Sequence, residues 1–377
     1  MRWCTSQNTL SVVKVVIVGA GVIGCAIAYE LTGRGAEVVL VDMRQPGAGA
    51  TQASAGILAP YIEGVSPALL QLGVAGLAAY DRFVEDLRSV SGRDIEYRRA
   101  GTLEVALTDA ETDPLRHDAR RHLSQYVEHR WLDAREARAM EPALPEAIRG
   151  ALFVPAHGYV NARGLLRALL ETAERRGARV TAGSHAQQLF TTGGVLRVVT
   201  SSEVVEADAV VVATGSWSAQ LPVNGFVREG VRPVRGQLLQ LSCSHASVSR
   251  VLWGTECYVV PWLDGTLLVG ATEEDAGFDE GATVAGVQDL LDAACRLLPV
   301  ARTARFDGVR VGLRPATRDA LPVIGRSAQS ANLVYATGHY RSGLLLAPLT
   351  ASVVADLVLD GRESPHLAFT KPDRFGL

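Results

Sequence analysis

The sequence predicts a mixed fold, with an α/β part built on a parallel sheet and an α+β part built on antiparallel strands. Three observations support this. A strand-helix-strand unit lies near the start of the chain, the same type of pattern resumes at Leu165, and short strands with a tight turn follow from Gln237. An antiparallel series of this kind does not belong to the parallel sheet. We therefore expect two domains that share the chain more than once.

The first unit has the periodicities of a βαβ motif. Val12 to Val18 (VVKVVIV) is a β-branched run typical of a buried strand, Val22 to Arg34 is a predicted helix, and Glu37 to Val41 is a second strand. Further along, Leu165 to Arg176 is a predicted helix that ends at Gly177, and another strand follows it. The nucleotide-binding pattern resumes there, so the first domain is expected to be discontinuous.

The turn between the first strand and the helix carries a glycine fingerprint. Gly19, Gly21 and Gly24 form GxGxxG, and Asp42 ends the second strand. The first glycine permits a tight turn, the second a close approach of backbone to a diphosphate, and the third close packing of helix on strand. N–H groups at the helix start can bind the diphosphate, and Asp42 can accept hydrogen bonds from a ribose diol. The pattern predicts a bound dinucleotide, NAD or FAD, rather than an empty glycine-rich turn.

Two features favour FAD. Arg44 is followed by the small-residue run Gly49 to Gly56 (GATQASAG), which lets a long cofactor with two heads pass close to the backbone. The chain also has a single GxGxxG and lacks the YxxxK pattern of short-chain NAD dehydrogenases.

The middle of the chain supplies the second part of the fold. Pro67 to Glu141 is predicted to be largely helical scaffold, and Val204 to Val212 leads into a segment that contains Gly215. The predicted antiparallel strands, joined in part by a turn at Leu263-Asp264-Gly265, are Gln237 to Leu241, Glu256 to Trp262 and Thr266 to Thr272.

Composition narrows the class of protein. With 48% hydrophobic and 20% charged residues in 377, the chain can bury large cores, and a net charge of −3 without long like-charge runs argues against nucleic-acid partners. Leu344 to Leu359 is apolar but shorter than the roughly 20 residues that span a bilayer, so we expect a buried helix and no membrane span. The first ten residues do not resemble a signal peptide.

The cysteines predict a reducing compartment. They are odd in number, scattered and free of any CxxC spacing, which indicates buried thiols rather than disulfides or a metal site. We expect a cytoplasmic protein without a bound metal. The five residues are Cys4, Cys25, Cys243, Cys257 and Cys295.

Four motifs, in the same order along the chain, resemble the D-amino-acid oxidase superfamily of flavoproteins, and within it the glycine oxidases of the thiamine pathway. They are IVGAGVIGCAIAYEL, GATQASAGILAP, GLRPATRDALPVIG and GHYRSGLLLAP. The resemblance runs nearly from end to end, and the last two motifs are more specific than the glycine fingerprint. It implies a Rossmann-like FAD-binding domain with a discontinuous antiparallel-sheet substrate domain. We assign residues 11–85, 155–235 and 310–365 to the first, and 86–154 and 236–309 to the second.

The resemblance also implies site residues. By motif match, Arg314 of GLRP binds the substrate carboxylate, Arg341 lies beside flavin and substrate, and Tyr258 borders the substrate. A guanidinium meets a carboxylate in a two-point fork, which fixes orientation as well as affinity. Simpler alternatives are a surface ion pair for Arg341 and a core-filling sheet residue for Tyr258. The residues implied at the cofactor are Gly19, Gly21, Gly24, Asp42, Arg44, Thr51, Ala55, Gly56, Gly215, Gly338, His339, Arg341, Ser342, Gly343 and Leu344.

We expect the loop around Arg341 to lie against the flavin. Gly338 and Gly343 would let it approach the flavin ring, and a helix starting near Gly343 would aim its positive end at the flavin. His339 would either contact the flavin or pack in the core.

Two departures from related proteins bear on the chemistry. Val309 to Thr317 (VRVGLRPAT) lacks the cysteine to which some relatives bind flavin, so FAD is expected to be non-covalent. Glu273 and Glu274 follow a strand where some glycine oxidases have an apolar residue against the substrate. Glu273 pointing inward would favour a substrate with an added cationic or secondary amine, but a solvated turn is the preferred interpretation.

The expected activity is oxidation of glycine or a small glycine-like amine such as sarcosine. Hydride would pass to flavin N5, and the imine would hydrolyse to glyoxylate and ammonia or amine, while dioxygen would give hydrogen peroxide. In thiamine biosynthesis the imine itself would be used. Alternatives are another D-amino acid, D-proline, a larger N-carboxymethyl amine, a quinone-linked dehydrogenase, or a non-catalytic flavin sensor. The oligomeric state is left open, a homo-oligomer included.

Overall fold

The computed structural model describes residues 12–62, 66–118, 126–192, 195–227, 229–243 and 248–377. Cys4 and the predicted lack of a signal peptide concern the first residues, which lie outside these ranges. The helices are α1 Val22–Gly33, α2 Pro67–Ser91, α3 Asp109–Asp118, α4 Ala134–Met140, α5 Ala162–Arg175, α6 Val284–Leu297 and α7 Gly343–Ala355.

Twenty strands are named in chain order within the described residues. The first ten are β1 Lys14–Val18, β2 Glu37–Asp42, β3 Ile57–Leu58, β4 Tyr97–Arg98, β5 Thr102–Ala106, β6 Arg130–Asp133, β7 Gly150–Val154, β8 Gly158–Val160, β9 Arg179–Ala182 and β10 Ala186–Thr192. The others are β11 Val195–Thr200, β12 Val204–Ala207, β13 Ala209–Val212, β14 Arg232–Ser242, β15 Val251–Trp253, β16 Tyr258–Pro261, β17 Thr266–Gly270, β18 Arg305–Ala316, β19 Val323–Ser327 and β20 Ser330–Thr337.

A six-stranded sheet has the order β19-β20-β13-β1-β2-β9. All its pairs are parallel except β19 with β20. The four-residue apolar run of β13 and the interior of β1 are buried on both faces, as is typical of a parallel sheet covered on each side. Helices α1, α2, α5 and α7 share one hydrophobic core with one face, and the three-stranded sheet β10-β11-β12 shares another core with the opposite face.

An eight-stranded sheet has the order β18-β14-β17-β16-β15-β5-β7-β6 and is antiparallel except for β15 with β5. One of its faces packs with α6 and α4 in a separate core. The predicted antiparallel strands and the turn at Gly265 belong to this sheet. A small sheet, β3-β8-β4, completes the set.

The prediction of a largely helical stretch from Pro67 to Glu141 is wrong in part. Among the described residues of this stretch, the α-helices are α2, α3 and α4, while β4, β5 and β6 join sheets. Strand β5 (TLEVA) is almost wholly buried between β15 and β7, partners that lie far from it in sequence. Tertiary pairing, rather than local periodicity, makes it a strand.

The domain boundaries remain a prediction. Strand β14 runs through residue 235 and β18 through residue 309, so both cross the proposed boundaries without a break. The two strands pair with each other along their whole lengths, from Arg232 with Ala316 to Ser242 with Arg305. They therefore form a continuous ribbon between the regions assigned to the two domains.

Among the described residues, one stretch is apolar and long enough to cross a membrane, namely α7 with the turn that follows it, and most of it is buried inside the protein. It packs on α1 and α2. Gly76 of α2 permits close contact, because a Cβ there would lie 2.5 Å from the backbone oxygen of Leu345. Tyr80 donates a hydrogen bond of 2.5 Å to the carbonyl oxygen of Leu344. Helix α2 thus fixes the start of α7.

Candidate active site

A cavity of about 460 Å³ lies between the six-stranded sheet and the eight-stranded sheet. Its wall includes the residues that follow the carboxyl ends of β1, β2, β9 and β13, where parallel sheets commonly bind ligands. Residues of β14, β16 and β18 form the other side, and the N-termini of α1 and α7 complete it.

The glycine fingerprint folds as its spacing predicts. Gly19 has φ +108°, and a Cβ there would lie 2.4 Å from the carbonyl oxygen of Ala213. A Cβ on Gly24 would lie 1.9 Å from the oxygen of Gly19, so α1 can pack on the turn only without a side chain. Gly19 and Gly21 line the cavity, whereas Gly24 lies behind them.

Asp42 lies at the end of β2, and each of its two carboxylate oxygens accepts a backbone hydrogen bond. It accepts hydrogen bonds from the backbone N–H of Ala20 at 2.7 Å and of Arg44 at 2.8 Å. Thr51 accepts one from the N–H of Val22 at 3.0 Å, which ties the small-residue run to the first turn of α1. Since a carboxylate oxygen has two acceptor sites, Asp42 keeps acceptor capacity toward the cavity that it lines.

On one side of this region the sequence predicted Arg44 but not its neighbours Trp217, Ser184 and His185. The guanidinium of Arg44 stacks on Trp217, 4.3 Å from the ring centroid, and pairs with Glu280 at 2.8 Å. Ser184 and His185 also line the cavity, just beyond β9. The only available signal for the last two was their place after a strand parallel to β2.

Most of the predicted cofactor residues line the cavity, and two do not. Gly24 is one exception. Gly338 is the other. Its φ of +71° favours glycine, and a Cβ there would meet Thr317 at 2.7 Å, so its role is in the conformation of the loop. The residues that line the cavity as predicted are Gly19, Gly21, Asp42, Arg44, Thr51, Ala55, Gly56, Gly215, His339, Arg341, Ser342, Gly343 and Leu344.

Arg314 reaches the cavity from β18. Its guanidinium lies over Gly236 of the paired strand β14, where a Cβ would be 2.5 Å from Cζ. Nη1 donates a hydrogen bond of 2.9 Å to the carbonyl oxygen of Thr272. That acceptor is neutral, so the contact orients the arginine without cancelling its charge.

A polar network beneath Arg314 holds Thr272 in place. Glu274 accepts hydrogen bonds from Thr272 Oγ1 at 2.5 Å, from Gln237 at 2.7 Å and from Arg235 at 2.5 Å. Arg235 is only 6% exposed and also pairs with Asp279 at 2.5 Å. Burial would raise the pKa of Glu274, but these hydrogen bonds outweigh it and lower the pKa. Glu274 is therefore an ionised structural group and not part of a solvated turn.

Tyr258 and Trp253 form an aromatic wall. They face each other across β15 and β16 with ring centroids 5.2 Å apart, and both line the cavity. The Tyr258 ring lies against Gly270, where a Cβ would be 2.4 Å from it. Tyr258 therefore borders the cavity instead of only filling the core.

Arg341 lines the cavity and also forms an ion pair with Glu273. Tyr340 donates a hydrogen bond of 2.6 Å to the same carboxylate. This hydrogen bond, together with Arg341 and Arg314, lowers the pKa of Glu273. The carboxylate of Glu273 is exposed, in agreement with the preferred interpretation of a solvated turn, and it pairs with the arginine of the GHYRSG loop.

The loop that carries Arg341 is positioned by contacts of the two residues that precede it, His339 and Tyr340. Tyr340 has φ +48°, a sparsely populated conformation for a non-glycine residue, and its N–H donates to the oxygen of Pro315 at 2.9 Å. His339 is buried and lies 3.1 Å from Thr350 Oγ1, and burial lowers its pKa to about 3. His339 is thus a neutral group that packs in the core and also borders the cavity. Helix α7 starts at Gly343, as predicted.

Comparison with known proteins gives consistent matches. Residues 14–357 match the FAD dependent oxidoreductase family, DAO. The chain is 35% identical over 367 residues to the bifunctional protein ThiO/ThiG of Trichormus variabilis, which covers 96% of this chain and 55% of that protein. The chain therefore spans about half the length of this curated relative.

Two solved structures share the fold over nearly their whole length. The crystal structure of glycine oxidase from Geobacillus kaustophilus has a TM-score of 0.89 and 33% identity, covering 95% of this chain and 98% of that one. The crystal structure of iminodiacetate oxidase from Chelativorans sp. BNC1 has a TM-score of 0.86 and 29% identity, with the same coverage. The predicted fold class is confirmed.

Proposed function

This chain belongs to the FAD dependent oxidoreductase family of the D-amino-acid oxidase type, and from that premise we propose that it oxidises glycine or a small glycine-like amine such as sarcosine. The observation that carries the proposal is Arg314, whose guanidinium is directed to the cavity over Gly236 and oriented by the carbonyl of Thr272. A carboxylate is the group that such a planar cation binds best.

The residues of the cavity fit FAD. The turn at Gly19 and Gly21 brings backbone N–H groups of α1 to the wall, and Asp42 offers acceptors for a ribose. At Gly215, φ is +54° and no heavy atom lies within 4 Å of a Cβ position, so backbone borders open space there. The uncapped N-terminus of α7 supplies partial positive charge for the flavin end.

FAD bound in this cavity would supply the two-electron oxidation of the substrate at its α-carbon, with dioxygen as final acceptor and hydrogen peroxide as product. The residues of this chain orient the substrate. Arg314 holds the carboxylate, Tyr258 limits the space beside it, and together they direct the α-carbon to one face of the cavity. The amine must be neutral when hydride leaves, and the imine product then hydrolyses to glyoxylate and ammonia or a primary amine.

The aromatic wall of the cavity supports a small substrate. Trp253 and Tyr258 lie side by side in this wall, and Tyr258 packs against Gly270. Rigid aromatic rings at this position leave room for glycine or an N-methyl group more readily than for a long side chain. We propose that the imine or glyoxylate serves thiamine biosynthesis, as the ThiO part of the bifunctional relative's name suggests.

We also propose non-covalent FAD and a cytoplasmic location. Cys257 lines the cavity, but burial raises its pKa to about 12, so the thiolate needed to bond a flavin is disfavoured. The four cysteines within the described ranges are all unpaired, and three of them are buried, which is typical of a reducing compartment. Burial of α7 against α1 and α2 supports a core helix rather than a membrane span.

The proposal is tested by anaerobic mixing of the purified holoprotein with glycine, sarcosine, D-alanine and D-proline, each followed by admission of air. Bleaching of the flavin by glycine or sarcosine, with peroxide on reoxidation, supports it. Bleaching by D-alanine or D-proline alone would assign a different substrate class, and bleaching without peroxide would indicate another electron acceptor. No bleaching by any of the four overturns the proposal.

A further inference from the structure

Glu273 is a negative charge paired with one of the two arginines of the substrate side. It pairs with Arg341, accepts a 2.6 Å hydrogen bond from Tyr340, and lies close enough to Arg314 for that cation to lower its pKa. The carboxylate is 49% exposed, and both of its partners, Tyr340 and Arg341, line the cavity. A substrate that binds beside Arg341 and Tyr340 therefore lies near this charge as well.

The charges of these three side chains bear on how many carboxylates a substrate can carry. Arg314 and Arg341 carry one positive charge each, and Glu273 removes one of them, which leaves a single net positive charge. One substrate carboxylate neutralises this remaining positive charge once the amine is neutral. A second carboxylate would lack a cation to neutralise it and would lie near Glu273, where like charges repel.

We propose that Glu273 is a specificity-determining residue that restricts this enzyme to amine substrates with one carboxylate and excludes dicarboxylic amines. The inference rests on the proposed function, since it assumes that Arg314 binds the carboxylate of an amino-acid substrate. It goes beyond that function because it assigns the discrimination to a residue outside the GLRP and GHYRSG motifs.

The variant that tests the inference is Glu273→Gln, which keeps the shape and removes the charge, with Glu273→Met as a second neutral replacement. The matched control is Asp275→Asn. Asp275 lies two residues further on, is 87% exposed and is 4.0 Å from Arg232, so the same change in charge occurs away from the cavity arginines. Flavin absorbance of each purified variant verifies that it folds and retains the cofactor.

Two pairs of probes separate the charge effect from general damage. Sarcosine and iminodiacetate are oxidisable secondary amines that differ by one carboxylate. Methoxyacetate and diglycolate are their ether counterparts, which cannot be oxidised, and their binding is measured by titration calorimetry. We expect Glu273→Gln to raise kcat/KM for iminodiacetate relative to sarcosine by about tenfold, equivalent to about 1.4 kcal/mol. The affinity for diglycolate relative to methoxyacetate should rise by a similar factor, and Asp275→Asn should change neither ratio.

The two proposals fail in different ways. If the wild-type protein oxidises neither glycine nor sarcosine, the proposed function is overturned, while the ether pair still tests Glu273. If sarcosine is oxidised but both ratios stay at the wild-type value in Glu273→Gln and Glu273→Met, the specificity role is overturned. An equal shift in Asp275→Asn would also overturn it, because the effect would then come from net charge alone.

Discussion

The guanidinium of Arg314 occupies the space that a side chain would take at Gly236. A Cβ at Gly236 would lie 2.5 Å from Cζ, Nη1 and Nη2 of the arginine. Val234 is the residue directly opposite Arg314 in the β14 and β18 pairing, so the side chain runs diagonally along the sheet. The position of the cation therefore depends on a glycine in a different part of the sequence.

Gly236→Ala is expected to impair substrate binding without much loss of stability. The added methyl group collides with the far end of a flexible side chain, which can move, but the moved guanidinium no longer meets a carboxylate correctly. We expect KM for glycine or sarcosine to rise about tenfold, equivalent to about 1.4 kcal/mol. The melting temperature should change by less than about 4 °C. Steady-state kinetics and thermal unfolding measure the two effects.

A double-mutant cycle supplies the control. If Gly236→Ala acts through Arg314, then adding it to Arg314→Ala should cause little further loss. Additive losses in the double variant would contradict this coupling.

Arg314→Ala should raise KM for carboxylate substrates by about 10² or more, because a charge-assisted fork contributes about 3 kcal/mol. Arg314→Lys should recover only part of the loss, since an ammonium group offers a point charge in place of two parallel donors. The comparison uses kcat and KM determined separately. An unchanged KM in Arg314→Ala would show that the carboxylate binds elsewhere.

Much of the fold was predictable where local signals agree with tertiary structure. The β1, α1 and β2 unit combines β-branched strands, a helix and three spaced glycines, and all its elements lie within two residues of their predicted bounds. Position in the parallel sheet then brings Asp42 to the cavity, because carboxyl ends of parallel strands share one edge. Helix α7 was predictable from its uniform apolarity.

Other features depend on contacts between distant residues. Strand β5 was missed because its partners, β15 and β7, stabilise it from elsewhere in the chain. The segment Val204 to Val212 divides into β12 and β13 at Asp208, whose carboxylate accepts a hydrogen bond from the N–H of Lys14 at 2.8 Å. The ion pair of Glu273 with Arg341 spans two loops, and no periodicity in either one indicates it.

Gly24→Ala is expected to abolish stable FAD binding. Its Cβ would lie 1.9 Å from the backbone oxygen of Gly19, so α1 must move away from the turn that forms the predicted diphosphate site. The control is Gly164→Ala, also near the start of a helix, where a Cβ meets no heavy atom nearer than 3.5 Å. We expect Gly24→Ala to purify without yellow colour and Gly164→Ala to retain full flavin content. Full flavin content in Gly24→Ala would contradict the packing role.

Acid should destabilise the protein through His157. This residue is fully buried, its Nε2 accepts a hydrogen bond from the N–H of Tyr61 at 3.4 Å, and its Nδ1 lies 2.8 Å from Thr102 Oγ1. Nδ1 therefore carries the proton of the neutral ring, and a second proton on Nε2 would face another donor. Burial, with a smaller effect of Arg99, lowers the pKa of His157 to about 3.

The sign of the pH effect follows from that shift. In the unfolded chain the pKa is about 6.5, so between about pH 6.5 and 3 the unfolded state binds a proton that the folded state does not. Stability is complete above about pH 6.5 and falls as the pH decreases, by about 2 kcal/mol at pH 5 for this one group. His157→Gln should reduce the loss in unfolding free energy between about pH 7.5 and 5 by that amount. Urea unfolding at fixed excess FAD measures it, with His117→Gln, at an exposed histidine of α3, as the control. If His157→Gln and the wild type lose stability equally as pH falls, the buried neutral histidine is not the source of the acid sensitivity.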